Sequence, residues 1–405
     1  MTFKLTPQEK DKVRNDPKLQ KFFRKKNPSP STKKTYHYTF ENFYKATGLT
    51  LSDAIEKARK EEEKGLPLPD RKIDDHFGDF RDFMLEKDSS AATIKKGFTQ
   101  IRALYRKNGI ILPDNDWDIP DNNKTLTTED LPGIEEIKTA MEESSPLFKA
   151  IIILMASSGM GRAEILSLTI QDLLDAINSK NKHVQIVAND LTDIPQLKKK
   201  LGDQVMPLQW CIERIKMRYK KREPYITFST PESLDYILRY FKLTRNRKVP
   251  KPEPEQKLFY SYRAKPLADN GFLSYFGKLN ERCGWKKKNR QAYFRSHHLR
   301  KWFANQLIKT SMGYIDTNRL LGHQALNKSD ASYFLSDPDE LYRKYLENMD
   351  SLTIYSKVQT YDNTDERVQE LEELRKQDQL EIKQLRQIIE RELLHKQNPP
   401  KDIKE

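Results

Sequence analysis

The chain has 405 residues, of which 36% are hydrophobic and 33% charged. That is too long for one compact core, so two domains with extensions are expected. Lys and Arg outnumber Asp and Glu by 73 to 59, a formal net charge of +14, and a surplus of this size favours a polyanionic partner, nucleic acid being the commonest. Cys211 and Cys283 stand far apart with no ligand spacing around them, which argues against a zinc site or disulfide framework and for a reducing cytosol. The opening residues carry no apolar core of signal-peptide length, and no stretch approaches the roughly 20 apolar residues of a membrane span.

Up to about residue 110 the pattern is helical only. Pro28–Ser31 is a break, and Ser31 or Thr32 can cap a helix carrying Tyr36, Tyr38, Phe40, Phe43 and Tyr44. Ser52 is read as the cap of a second helix. A third spans Ile73 to Lys87, with Phe77, Phe80, Phe83 and Met84 at helical spacing. Ser90 opens a fourth, through Ile94, Phe98, Ile101 and Leu104, that stops at Asn108-Gly109. The aromatic stripes read as core. The lysines between them, Lys33, Lys34, Lys95 and Lys96, can meet phosphates.

From Leu112 the composition turns polar and rich in turn residues, so residues 112–126 read as a linker between a helical domain, 1–111, and a second domain, 127–357. The apolar run Ala150 to Ala156 fits a buried helix. Strand signals appear only later, at His183–Val187 and Tyr225–Phe228. The expected class is mainly α with a small antiparallel β-sheet. Residues 358–405 read as a charged helical tail. Its heptad breaks because Asp378 and Glu381 fall on the seam begun by Leu371 and Leu374. A solvated single helix and a dimer contact both remain open there.

Four segments carry chemistry together. In Ser157-Ser158-Gly159-Met160-Gly161-Arg162-Ala163-Glu164 a glycine turn presents one arginine at a helix start, an anion-binding arrangement. In Ser296-His297-His298-Leu299-Arg300 the His-x-x-Arg spacing puts an imidazole and a guanidinium on one helix face. Leu320-Leu321-Gly322-His323 is followed by Ala331-Ser332-Tyr333-Phe334. A basic stretch, Arg214 to Arg222, leads into the strand at Tyr225. Each alone has an ordinary reading: a surface arginine, a chance four-residue pattern, a capped helix end, a solvated hairpin.

The order Arg … Lys … His-x-x-Arg … Gly-His … Tyr resembles the tyrosine recombinase (phage integrase) family over roughly residues 127–355, and the wording of the boxes resembles its archaeal branch. The resemblance implies a helical core-binding domain ahead of the catalytic domain, a C-shaped clamp on duplex DNA, and four protomers in the active assembly. Two departures stand out. Gly161 occupies the place where the family's first arginine usually follows Thr-Gly-Leu, and Arg162 comes one residue later. The gap from His323 to Tyr333 is also one residue longer than usual.

A DNA phosphodiester is protected by its charge and its poor leaving group. Breaking it requires a nucleophile, cations around the phosphate, and an acid for the leaving oxygen. The resemblance makes Tyr333 the nucleophile, with Tyr345 and then Tyr342 in reserve. Arg162 and Arg300 clamp the non-bridging oxygens, His297 assists proton transfer at the tyrosine, and His323 donates to the phosphate. Lys216 is the general acid, with Lys220 and Lys221 as alternatives, and Arg214 joins those two in contacting DNA. The implied reaction is site-specific strand cleavage and rejoining through a 3′-phosphotyrosyl link, with no metal, cofactor or ATP. The expected partner is duplex DNA carrying attachment sites, in the cytoplasm with the nucleoid. Rival readings are a type IB topoisomerase-like relaxing enzyme and a non-catalytic DNA-binding relic. A plain helical scaffold explains the tail but not the four boxes.

Overall fold

The computed structural model describes residues 4–113, 117–120, 131–181, 184–202, 205–213, 224–249, 251–287, 292–323 and 337–355. The chain divides into two compact units, Met1–Thr125 and Leu126–Glu405.

The first unit is helical: α1 (Pro7–Arg14), α2 (Pro17–Lys26), α3 (Pro30–Thr47), α4 (Leu51–Glu63), α5 (Lys72–Glu86) and α6 (Ala91–Lys107). Local chemistry sets the starts. Ser29 caps α3 through the Thr32 N–H, with Pro30 in the first helical turn where its missing N–H costs nothing. Thr50 and Asp53 form a reciprocal capping box at α4. Both caps lie upstream of the serines that the sequence suggested, because these residues satisfy the free N–H groups first. The Ser90 cap of α6 is where it was expected. The aromatic stripes meet inside: Phe40, Phe43, Phe77 and Phe80 are buried, and Phe77 meets Phe98 edge-on with ring centroids 5.2 Å apart. A Cβ at Gly97 would stand 2.6 Å from the Phe80 ring, so glycine lets the helices approach. Lys34, Lys95 and Lys96 are exposed, whereas Lys33 is partly buried with its ammonium over the Phe23 ring at 5.8 Å.

The described part of the expected linker belongs to this core rather than spanning a gap. Trp117 Nε1 donates to Asp74 at 3.0 Å, Arg81 stacks on its ring at 4.6 Å, and Ile119 is buried in the same cluster.

The second unit runs α7 (Ile134–Glu142), α8 (Pro146–Ser158), α9 (Arg162–Ser167), α10 (Ile170–Lys180), α11 (Ile194–Leu201), β1 (Leu208–Ile212), β2 (Tyr225–Ser229) and α12 (Pro231–Tyr240). A π-helical turn (Phe241–Arg245), α13 (Asn246–Lys248), α14 (Asp269–Arg282), α15 (Ser296–Ile308), α16 (Gly313–Leu320) and α17 (Pro338–Asn348) follow. Helix α8 is the pillar. Every residue from Ala150 to Ser158 is buried, and at about 1.5–3 kcal/mol per large buried aliphatic side chain this helix anchors the unit. Helices α12 and α15 and strand β2 pack on it.

The sheet is a two-stranded antiparallel pair with Leu208 opposite Ser229 and Ile212 opposite Tyr225. The strand expected at 183–187 does not form in its described part. The Asn178 side chain takes both backbone groups of Ile186, accepting its N–H at 2.8 Å and donating to its carbonyl at 2.9 Å, so no ladder is needed. Thr227 Oγ1 donates to the Ser158 carbonyl at 2.7 Å, fixing β2 to the end of α8. Buried Glu232 accepts the N–H groups of Ile354 and Tyr355, both at 3.1 Å. Burial pushes its carboxyl up to about 7. Among the described residues no helix is long and apolar enough to cross a membrane. The charged tail, 358–405, lies outside the described residues.

Candidate active site

Helix α8 ends on Gly159, whose φ is +66°. A Cβ there would stand 2.5 Å from the Phe303 ring and 2.8 Å from a Leu321 methyl, so both conformation and space require glycine. The chain then turns into α9, where the Glu164 carboxylate accepts the Gly161 N–H and Arg162 is the first helical residue.

Arg300 on α15 joins three of the sequence boxes. Its Nη1 donates to the Gly159 carbonyl at 2.6 Å and lies 3.4 Å from Glu164 Oε2. Its Nη2 donates to the Leu321 carbonyl and lies 3.5 Å from His323 Nε2. The guanidinium fork suits this task, since one planar group reaches two backbone turns and a carboxylate. The side chain is 16% exposed, so it sits at the floor of the site with a face still open.

His297 is exposed, whereas its neighbour His298 is buried. His298 Nδ1 donates to the Tyr293 carbonyl at 2.6 Å and its Nε2 accepts from Arg295 at 2.7 Å. Burial, reinforced by the Arg295 charge, pushes this imidazole down to about 4, so it stays neutral and structural. His323 ends the α16 turn. Its Nδ1 faces Asn318 Oδ1 at 2.8 Å, a contact that selects the ring proton and turns Nε2 toward Arg300.

Arg162 pairs with Asp269 at 2.8 Å, both side chains being well exposed. It stands at the site's edge, and the glycine before it is the residue beside Arg300: a Cβ at Gly161 would be 4.0 Å from Nη1. Arg214, Lys216, Lys220, Lys221 and Tyr333 lie outside the described residues. Tyr345 is a core residue instead of a reserve nucleophile: it is fully buried, and its hydroxyl donates to the Ser157 carbonyl at 2.8 Å. Tyr342 is 9% exposed, and burial raises its phenol further from ionisation. Among the described residues no group of three or more His, Cys, Asp or Glu is placed to hold a metal ion.

The residues that sequence reasoning passed over are Glu164, Asn318 and Asp269. Glu164 carried a signal, since it lies three residues after Gly161 at a helix start, the spacing of a capping carboxylate. Asn318 and Asp269 carried none, because their partners come from separate turns.

The profile of the phage integrase family matches residues 125–340. No curated protein matches the chain. Among solved structures, the Tn1549 transposon integrase in complex with circular intermediate DNA is 17% identical, with a TM-score of 0.45 over 82% of this chain and 98% of that one. The XerH site-specific recombinase bound to palindromic difH substrate is 16% identical, with a TM-score of 0.43 over 80% and 82%. The integrase from mycobacterium phage Brujita is 12% identical, with a TM-score of 0.33 over 87% and 97%. With the family profile covering more than half of its length, this chain belongs to the phage integrase family of tyrosine recombinases, enzymes that cleave and rejoin DNA at specific sites.

Proposed function

We propose that the chain carries out this reaction with Tyr333 as nucleophile and Arg162, Lys216, His297, Arg300 and His323 as its helpers. The observation that carries the reading is the convergence on Arg300: one guanidinium joins the Gly159 turn, Glu164 and the Leu321–His323 turn. Three boxes distant in sequence thus meet on one guanidinium, with exposed His297 three residues before it on the same helix. In the proposed step the Tyr333 oxygen bonds to phosphorus and the P–O5′ bond breaks. His297 takes the phenol proton, and Lys216 (or Lys220 or Lys221) supplies one to the departing 5′ oxygen. Arg162, once released from Asp269, and Arg300 neutralise the non-bridging oxygens, and His323, as the imidazolium with both ring nitrogens protonated, donates to one of them through Nε2. The phosphotyrosyl bond conserves the energy of the phosphodiester, so a second 5′ hydroxyl reseals the strand.

The helical first unit is proposed as the core-binding domain, touching phosphates through Lys33, Lys34, Lys95 and Lys96, with Arg214, Lys220 and Lys221 doing so in the catalytic domain. Assembly as a tetramer on DNA, a cytoplasmic, nucleoid-associated setting and an archaeal-type origin of the boxes complete the proposal. The last rests on box wording alone.

The general acid has its own test. Lys216→Ala lowers the rate of covalent complex formation by roughly 10²–10⁴-fold on normal DNA, the usual worth of a positioned acid. A 5′-bridging phosphorothiolate needs no proton on its leaving sulfur, so on that substrate the variant recovers. Failure to recover assigns the acid elsewhere, and the same assay on Lys220→Ala and Lys221→Ala finds it.

A further inference from the structure

Tyr225 begins β2, immediately after the segment that carries Lys216, and it is 7% exposed. Two features of the site meet on it. Gly322 has φ +65°, and a Cβ there would lie 2.6 Å from Tyr225 Cδ1 and 2.8 Å from Cγ and Cε1. The Gly322 backbone therefore packs directly against the tyrosine ring, with no room for a side chain between them. That turn is held from the other side by α16, through Gly322 N–H to the Arg319 carbonyl at 2.8 Å and His323 N–H to the Asn318 carbonyl at 2.9 Å. The second feature is the phenol. Burial holds it well above its ordinary value, with Glu164 raising it further and Arg300 acting the other way, so it stays a neutral group beside that pair. Strand β2 itself is anchored to α8 two residues on, at Thr227.

We propose that Tyr225 is a positioning residue of the recombination site: its ring is the platform that sets the height and tilt of the Gly322–His323 turn, and hence the reach of His323 to the scissile phosphate. The alternative is a hydrophobic filler whose loss only loosens the core. The two differ in how the loss reads out. A platform acts through His323, so its removal costs nothing more once His323 is gone. A filler's loss adds to any other lesion. The inference rests on the assignment of His323 to the active site.

The test is single-turnover formation of covalent protein–DNA complex on a nicked duplex, with wild type and Tyr333→Phe as controls and duplex affinity measured in parallel. A wild type that forms no complex defeats the reading of the site and is distinct from any result below. Tyr225→Leu is expected to slow complex formation by about 10–100-fold, as a displacement of about 1 Å does, with duplex affinity unchanged. Tyr225→Phe, which keeps the ring, recovers most of that loss. Tyr225→Leu in a His323→Ala background adds no further loss. Should Tyr225→Leu fail to fold, Gly322→Ala presses on the same contact from the other side and takes its place in the cycle. Full additivity with His323→Ala, a Phe variant as slow as Leu, or a Leu variant as fast as wild type overturns the proposal.

Discussion

Arg300→Lys is expected to lower covalent complex formation by about 10³-fold or more, although the charge is kept. Removing one preorganised donor to a developing charge costs about 10²–10³-fold, and this residue also shapes the site. A lysine ammonium has one donor centre, whereas the guanidinium reaches the Gly159 and Leu321 carbonyls and Glu164 together. A single ammonium cannot reach both buried carbonyls, so at least one is left without a partner and the contact to Glu164 weakens, and stability falls by roughly 2–4 kcal/mol. A thermal melt in parallel with the cleavage assay shows both losses. A lysine variant that keeps its Tm and loses less than tenfold in rate would remove Arg300 from the centre of the site.

Gly159→Ala is the second large effect, and it starts as a packing event. The left-handed backbone costs an L residue about 1–2 kcal/mol, and the new methyl meets the Phe303 ring and Leu321 well inside contact distance, adding about 1–3 kcal/mol of overpacking. Gly284→Ala is the control, since Gly284 has φ +65° and nothing within 4 Å of its would-be Cβ. It should show the backbone cost alone. The lesion also reaches function, because Gly159 and Leu321 are the residues whose carbonyls receive Arg300. Cleavage should therefore fall together with Tm in Gly159→Ala and stay near wild type in Gly284→Ala.

The boxes were legible because their chemistry is local. A glycine turn before an arginine, an imidazole three residues from a guanidinium, and a Gly-His turn each announce themselves in a few residues. Core helices were legible for the same reason: Phe77, Phe80, Phe98 and Leu104 repeat at helical spacing and are buried. What escaped was non-local. The Tyr345 hydroxyl looks like a spare nucleophile in sequence and is bound to a carbonyl 188 positions away. The apparent strand at 183–187 has β-branched residues, yet Asn178 competes for its backbone. Strand β1 carries a weak signal, since Leu208, Trp210 and Ile212 alternate toward the core over only five residues before the basic run begins. The shifted arginine has a meaning only in three dimensions: position 161 faces Arg300, whereas Arg162 reaches Asp269.

The central claim is that Tyr333 bonds covalently to DNA. The most direct measurement incubates the full chain with nicked suicide duplexes carrying candidate attachment sites, with chelator and without ATP, and resolves the products on a denaturing gel beside Tyr333→Phe. The account predicts a slow-migrating protein–DNA band for the wild type and none for the variant. A band that persists in Tyr333→Phe, or no band from a wild type on duplex that it demonstrably binds, would contradict it.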